Sequence, residues 1–395
     1  MKSLHICFVS QEYPPETGWG GIGAYTYEMA HALAKMGHRV TVISLSIDEN
    51  ESVMHTGDVE VRRIHARPRL EKKRFFWRWS GLWPGFSWAA CRYLKKLHQE
   101  NPIDLIEVAE NRADLFFLSF YSQRPKWVTR LHTAWIFVDQ DGNGLPNFKK
   151  RMMYWMEKQT IRNADAITSP SQAMVDRTKQ WVCLKHKKTW VVPNPVDSHR
   201  FVPNSESKKS KEIFFVGRLE KRKGIGLFVE IVPRVLRKFP EASFRFIGKS
   251  SEKWNGTLWK ELILNSVLPL QQKQIHFEQL RREELLPRYQ NASLCVMPSI
   301  WENFPYAVLE AMSCGLPVVA SRIGGHPELI QDGFNAVLFP PGDAELLSKA
   351  IIELLQNPEK MERMGRNARQ VVEENFSVEH VAPRMLEVYR EILAA

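Results

Sequence analysis

What most constrains this chain is a repeated alternation of short apolar runs with helix-spaced segments, interrupted once near the middle. Leu4 to Ser10 reads as a buried strand, and Ile22 to Met36 carries Ile22, Tyr25, Met29, Leu33 and Met36 on one helix face, with Gly37 as its stop. Arg39 to Leu45 repeats the strand pattern, so the chain opens on a βαβ unit. Further strands are expected at Val59 to Ile64, Leu105 to Val108, Trp127 to Leu131 and Ala166 to Ser169. Strands that alternate with helices in this way form a doubly wound, mostly parallel sheet. The interruption is VVPNPVDSHRFVPNSESKKSKE, with three prolines followed by a polar, lysine-rich run, and it reads as a linker. A second alternation follows: Ile213 to Val216, a helix from Gly224, Ser243 to Ile247, Gln274 to Phe277, Ala292 to Met297, Val318 to Ala320 and Ala336 to Phe339. Helices are expected at Ala344 to Leu355, Glu359 to Glu374 and Val378 to Leu393. The fold class is therefore α/β, with two doubly wound Rossmann-like domains, 1–195 and 196–376, and a terminal helical piece, 377–395. In such sheets ligands bind outside the carboxyl ends of the strands, so the active site is expected in an inter-domain cleft.

Two such domains account for 395 residues. No run of eighteen apolar residues occurs, and MKSLHICFVS enters a strand pattern instead of a signal sequence, so a cytoplasmic protein is expected. Cys7, Cys91, Cys183, Cys295 and Cys314 are scattered without a CxxC pair and read as reduced core residues. The net charge of +11 calls for an anionic partner. From Arg67 to Leu97 nine Lys or Arg face one acid, Glu71, among eight aromatics, which suggests an anionic membrane surface, here the inner face; the competing reading is a basic helix with its aromatics in the core. A single cluster of this kind without a recognised motif argues against nucleic acid.

The stretch WENFPYAVLEAMSCGLPVVAS, Trp301 to Ser321, concentrates chemistry. A strand ends at Pro298, Glu302 lies in the turn, a helix can start after Pro305, and Glu310 falls eight residues past Glu302, about two helical turns. Two carboxylates beside a helix N-terminus suit a ligand with hydroxyls and a phosphate, as in a sugar nucleotide; the plain alternative is an ordinary N-terminal charge. Val216 to Gly224, VGRLEKRKG, places Arg218, Lys221, Arg222 and Lys223 at a strand tip, either as a solvated face or as a clamp on a leaving diphosphate. His132 follows the strand WVTRL and occupies a strand tip, a place where a lone histidine is structural or functional.

GWGGIG, Gly18 to Gly23, fits the dinucleotide pattern, but QEYPPET separates it from its strand and the acid for the ribose is missing, Asp48 being late. Gly20 and Gly21 can still offer NH groups to a phosphate. DQDGNG, Asp139 to Gly144, starts like a calcium loop and fails at Lys150 and Pro146, so no metal site is expected.

Assembled, GGIG, His132, PNPVDSHRF, VGRLEKRKG, the Glu302 and Glu310 pair and GGHPELIQDGFNAVLFPPGD resemble the family 4 retaining glycosyltransferases of GT-B fold, glycosyl transferases group 1. The resemblance covers nearly the whole chain. It implies a hexose moved from a nucleoside diphosphate sugar, the co-substrate in place of any cofactor, to a saccharide or lipid-linked acceptor in cell-surface polysaccharide or glycolipid synthesis. It further implies that Glu310 binds ribose hydroxyls, that Glu302 with its neighbours Asn303 and Phe304 touches the donor sugar, and that Arg218 and Lys223 hold the diphosphate. Gly21, beside Gly20, contributes backbone NH, His132 lies near the reacting centre, and the terminal helix packs back on the first domain. Pro195 stands where the family usually has glycine, and Pro305 removes an NH from the sugar loop. The mechanism implied is departure of the diphosphate and attack from the same face, with retained configuration and no metal. A soluble disaccharide or sugar-phosphate synthase of the same fold, and a non-catalytic nucleotide-sugar-binding protein, are the alternatives.

Overall fold

A computed structural model describes residues 3–18, 20–48, 50–66, 82–141, 147–204 and 211–395. The chain divides into two compact units, Met1–Pro195 with Val378–Ala395, and Val196–Ser377.

In the first unit the strands β1 (His5–Val9), β2 (Arg39–Leu45), β3 (Ser52–Thr56), β4 (Val59–Ile64), β5 (Leu105–Ala109), β6 (Lys126–Arg130), β7 (Ala166–Ser169) and β8 (Thr189–Val191) form one sheet in the order β3-β4-β2-β1-β5-β6-β7-β8. Every neighbouring pair is parallel except β3 with β4. β1 and β5 are buried throughout, as expected of central parallel strands covered on both faces. Helix Leu82–Glu100 lays Phe86, Ala90, Leu94 and Leu97 into the core beside Ile106 and Trp127, each large apolar side chain there contributing roughly 1.5 to 3 kcal/mol. Helices Gly21–Lys35 and Val378–Ala394 pack against each other.

In the second unit β9 (Glu212–Val216), β10 (Ser243–Ile247), β13 (Ile275–Glu278), β14 (Leu294–Met297), β15 (Val318–Ser321) and β16 (Val337–Phe339) make a parallel sheet in the order β13-β10-β9-β14-β15-β16, with a separate hairpin of β11 (Lys253–Trp254) and β12 (Thr257–Leu258). The strand period of two sends alternate residues to two cores. Ile213, Phe215 and Val319 meet Phe228, Val232 and Leu347 on one face, while Phe214, Val318 and Ala320 meet Val308, Met312 and Val372 on the other.

The expected strands lie within one or two residues of those observed. β8 and the β11–β12 hairpin were not expected, and further features differ. The edge strand β3 was not anticipated, because its residues are mostly exposed and carry no apolar alternation. The helix expected from Gly224 begins instead at Phe228, after 3-10 turns at Lys221–Lys223 and Ile225–Leu227; Gly224 interrupts them at φ +71°, and a Cβ there would lie 1.8 Å from the Pro298 carbonyl oxygen. The proline-rich linker is anchored at both ends, Val192 and Asn194 being buried in the first unit and Val196 and Phe201 in the second. Cys183 is exposed, whereas the other four cysteines are buried as expected.

Candidate active site

Both sheets reverse their strand order, at β1/β5 in the first unit and β9/β14 in the second, and the loops leaving β1, β9 and β14 carry Gly20, Arg218, Lys223 and Glu302, while His132 follows β6. After β9 the chain turns through Arg218 to Gly224; after β14 it turns through Ser299 to Pro305. The two loops are bonded together, Ile300 NH donating to the Arg222 carbonyl at 2.9 Å. Lys223 Nζ lies 2.5 Å from Glu302 Oε1, and Ser299 Oγ donates to the same oxygen at 2.8 Å. Side chains of Lys223 and Glu302 are 15% and 8% exposed, so this is a buried pair. Burial pushes Glu302 up, but Lys223 and then Arg222 outweigh it and hold the carboxyl at about 2. Burial lowers Lys223 against the pull of Glu302. The Gly324–His326 turn packs on the Glu302 backbone: Gly325 NH donates to the Glu302 carbonyl at 3.0 Å, and a Cβ on Gly324 would lie 1.9 Å from that oxygen. His326 is fully buried and its Nδ1 donates to the Ser321 carbonyl at 2.7 Å; burial lowers its pKa, although Glu302 opposes this. The ring is therefore neutral with its proton on Nδ1, and the buried Nε2 is an acceptor without a hydrogen-bond partner in the protein.

Glu310 belongs to helix Tyr306–Ser313, and Glu302 to the loop before it, so the pair does not share a helix. Glu310 Oε1 accepts from Arg282 Nε at 2.9 Å and Oε2 from the Tyr289 hydroxyl at 3.0 Å, all three side chains being buried. A carboxylate has about four acceptor positions. Two remain for ligand hydroxyls, on a group whose orientation is already set.

In the first unit Gly20 caps helix Gly21–Lys35, and a Cβ on Gly20 would lie 2.2 Å from Glu12 Oε2. Gly21 has open space, and the Gly20 contact is with the far end of the Glu12 side chain, which can move aside. Glu12 also pairs with Arg112 Nη2 at 3.1 Å, and Arg112 has φ +66°, a strained value for a residue with a side chain. Its NH donates to Glu157 Oε1 at 2.9 Å, while Glu157 Oε2 accepts from Trp135 NH at 3.0 Å. His132 NH donates to Glu110 Oε2 at 2.7 Å, and its ring packs edge-on to Tyr25 at 5.3 Å. Burial, then the Arg130 charge, holds His132 well below its ordinary range, so it is neutral. Arg130 lies 4.0 Å over the Tyr25 ring and donates from Nη2 to the carbonyl of Val192 at 2.9 Å and to Asn194 Oδ1 at 2.9 Å.

Two family profiles together match residues 19–371: Glycosyltransferase Family 4 over residues 19–200 and Glycosyl transferases group 1 over residues 197–371. The chain belongs to the family 4 glycosyltransferases. This glycosyltransferase is 26% identical over 401 residues to a glycogen synthase of Mycobacterium tuberculosis, covering 98% of this chain and 94% of the relative. Its fold is GT-B. A sucrose-phosphate synthase from Thermosynechococcus elongatus superposes with a TM-score of 0.79 at 24% identity, over 99% of this chain and 100% of that one. The Anabaena protein HepE in complex with UDP-glucose superposes with a TM-score of 0.73 at 17% identity, over 98% and 100%.

Of the residues expected at the site of this glycosyltransferase, Lys223 and Glu302 are in direct contact. Arg218 stands apart from that pair, its side chain 61% exposed and bonded at 3.2 Å to Glu220, which Arg222 shares. Asn303 is buried, and Phe304 packs its ring against Phe376 at 5.6 Å, so its side chain belongs to the core. Sequence reasoning passed over Glu12, Arg130, Glu107, Ser299 and His326. A signal existed for two of them: Glu107 and Arg130 interrupt the apolar strands LIEVA and KWVTR, and a charge inside a buried strand needs a partner. In the calcium-like stretch, Asp139 pairs with Lys150 and Asp141 with Arg177, while residues 142–146 lie outside the described residues. No described helix is long and apolar enough to cross a membrane. Of the basic aromatic stretch, residues 67–81 lie outside the described residues and the remainder starts helix Leu82–Glu100.

Proposed function

We propose that this glycosyltransferase moves a hexose from a nucleoside diphosphate sugar to a saccharide or lipid-linked acceptor, with retention of anomeric configuration and without a metal ion. The observation that carries this reading is the buried Lys223–Glu302 pair at the β9/β14 reversal, flanked by Arg222 and by Gly324 and Gly325. A lysine held out of water beside one carboxylate is ready to exchange part of that partnership for a phosphate, and it stabilises the charge that develops as the diphosphate leaves. Arg218, exposed on the same turn, supplies a second cation that can swing onto the outer phosphate. Glu302 and the backbone of Asn303 and Phe304 meet the hexose, and Glu310, oriented by Arg282 and Tyr289, takes the ribose hydroxyls. The NH groups of Gly20 and Gly21 face phosphate, and His132, neutral at physiological pH, accepts a hydrogen bond from a hydroxyl at the reacting end. No protein nucleophile is assigned: the departing diphosphate accepts the acceptor's proton on the face it leaves. The Anabaena neighbour, a complex with UDP-glucose, supports a nucleotide-sugar donor. We further place the enzyme in the cytoplasm, peripheral on the inner membrane face through residues 67–97, with cell-surface polysaccharide or glycolipid synthesis as its setting.

Incubation with a panel of UDP-, GDP- and ADP-hexoses, with the product's anomeric configuration read by proton NMR, tests the reading. An α-linked product from an α-linked donor, formed equally well in EDTA, is expected. An inverted product, or activity lost in EDTA and restored by magnesium or manganese, would overturn retention or metal independence respectively.

A further inference from the structure

One surface of the first unit has no role in this scheme. Helix Phe148–Asn163 buries Met153, Tyr154, Met156 and Glu157 on its inner side. On its outer side Phe148 is 72% exposed, and Trp155, two turns further along, is 52% exposed. Phe120, at the end of the 3-10 segment Phe116–Phe120, is 71% exposed. These rings are not scattered: buried Phe116 packs edge-on against Phe120 at 5.5 Å and against Trp155 at 5.2 Å, so the two exposed rings flank one anchored ring. Adjoining exposed aromatics of this size mark an interaction surface.

The charges around them decide what covers it. Residues 147–163 contain Lys149, Lys150, Arg151, Lys158 and Arg162 against a single acid, Glu157, which is buried; residues 116–124 contain no acid. Lys150 is taken by Asp139, whereas Arg151 and Arg162 face solvent on the helix. Aromatic rings on two segments whose one acid is buried and whose other charges are all cations fit the headgroup region of an anionic bilayer, where rings settle at the interface and cations meet phosphates.

We propose that Phe120, Phe148 and Trp155, with Arg151, Lys158 and Arg162, form the face by which this enzyme docks on an anionic lipid bilayer. The inference rests on the reading of the acceptor as lipid-linked. It also gives that reading a route: Glu157, on the inner side of the docking helix, holds the NH groups of Arg112 and Trp135, so the element that touches lipid also holds the loop that bears His132. The Lys72–Arg78 cluster lies outside the described residues, and separate variants distinguish the two assignments.

The test is co-sedimentation of the full chain with phosphatidylglycerol and with phosphatidylcholine vesicles at low and high salt. It compares wild type, Phe120→Ser/Trp155→Ser, Arg151→Gln/Lys158→Gln/Arg162→Gln, and a variant with Lys72, Lys73, Arg74 and Arg78 changed to Ser. Wild type is expected to pellet with phosphatidylglycerol only, more weakly at high salt, and the first two variants to lose at least about tenfold in binding while hydrolysing nucleotide sugar at the wild-type rate. Wild-type binding by both of those variants, with loss confined to the Lys72 variant, overturns this face and leaves the membrane reading intact. Wild type that stays in the supernatant overturns both membrane assignments, while donor hydrolysis still reports separately on the transferase reading. Concentration-dependent self-association in sedimentation velocity, abolished by Phe120→Ser/Trp155→Ser without effect on vesicle binding, would make the face a contact between two copies instead.

Discussion

Two opposed forces meet at Glu302. Burial raises its carboxyl pKa, the Lys223 ammonium and the Arg222 guanidinium lower it, and the charges win, leaving it at about 2. Removing one partner of such a buried pair leaves an uncompensated charge, at a cost of roughly 3 to 5 kcal/mol. Lys223→Met is therefore expected to lower thermal stability sharply and Lys223→Met/Glu302→Gln to recover part of it, while both lose at least about tenfold in turnover, or 1.4 kcal/mol or more of transition-state stabilisation. Melting curves and steady-state rates of the single and double variants check this; additive stability losses would deny the coupling. The pH dependence has two parts of opposite sign. The depressed pKa of Glu302 gives stability that is present above the ordinary value of 4.5 and is lost as pH falls toward 2. Glu110 and Asp114 behave in reverse, because burial lifts both to about 7 from ordinary values of 4.5 and 3.8. Between those limits the folded protein holds protons that the unfolded chain has released, so stability falls as pH rises from about 4 to 7, each pKa unit corresponding to about 1.4 kcal/mol. The lowered pKa values of His132 and His326 act in the opposite direction, so the test is a difference: Glu110→Gln, which keeps an acceptor for the His132 NH, is expected to raise melting temperature at pH 8 relative to pH 5 compared with wild type, and an unchanged pH dependence would remove Glu110 from the account.

Among the elements, the C-terminal helix Val378–Ala394 does most to complete the first unit. Tyr389 donates to Glu107 Oε2 at 2.6 Å in a fully buried site, and Lys126 Nζ donates to the carbonyl of Ile392 at 3.0 Å, meeting the negative end of the helix. The Arg130 charge, the Tyr389 hydroxyl and the Tyr25 hydroxyl all favour the ionised Glu107 carboxyl against its burial, and the Tyr389 bond is the part that the C-terminal helix supplies. Tyr389→Phe is expected to destabilise the protein by about 1.5 to 3 kcal/mol in urea unfolding, and a loss below a few tenths would show that the bond is dispensable. The helix itself was legible in the sequence from its apolar spacing, since Val381, Met385, Leu386 and Tyr389 all lie on its buried face. Its contact with β5 was not, because Glu107 gives no local sign of which distant hydroxyl it will meet. At Gly224 the expected helix start gave way to 3-10 turns for a comparable reason: the Pro298 carbonyl, far along the chain, presses against that position.

At the scale of the whole molecule, the second unit is one continuous stretch, Val196–Ser377, with two apolar cores of its own, whereas the first needs both ends of the chain. The isolated 196–377 segment is accordingly expected to unfold cooperatively, and to melt at a higher temperature when UDP, GDP or ADP is added, the effective nucleotide identifying the donor base. A segment that is unfolded by circular dichroism would show that its stability depends on the first unit. Residues 1–195 alone, lacking Tyr389 and its neighbours, are expected to be less stable than the same residues rejoined to 378–395. What the sequence by itself determined was the set of buried apolar strands, the division near Pro195 and the placing of Glu302, Lys223 and His132 at strand tips, because side-chain periodicity and turn chemistry are local properties; the more exposed β3, β8 and the β11–β12 hairpin escaped it. Only the tertiary structure decided the partners. Lys223 and not Arg218 reached Glu302 across 79 residues, Glu310 was taken by Arg282 at a separation of 28, and Glu107 met Tyr389 at a separation of 282. Strand order within each sheet determines which charges are buried together, and a charge taken out of water is stabilised only by the neighbours it finds there.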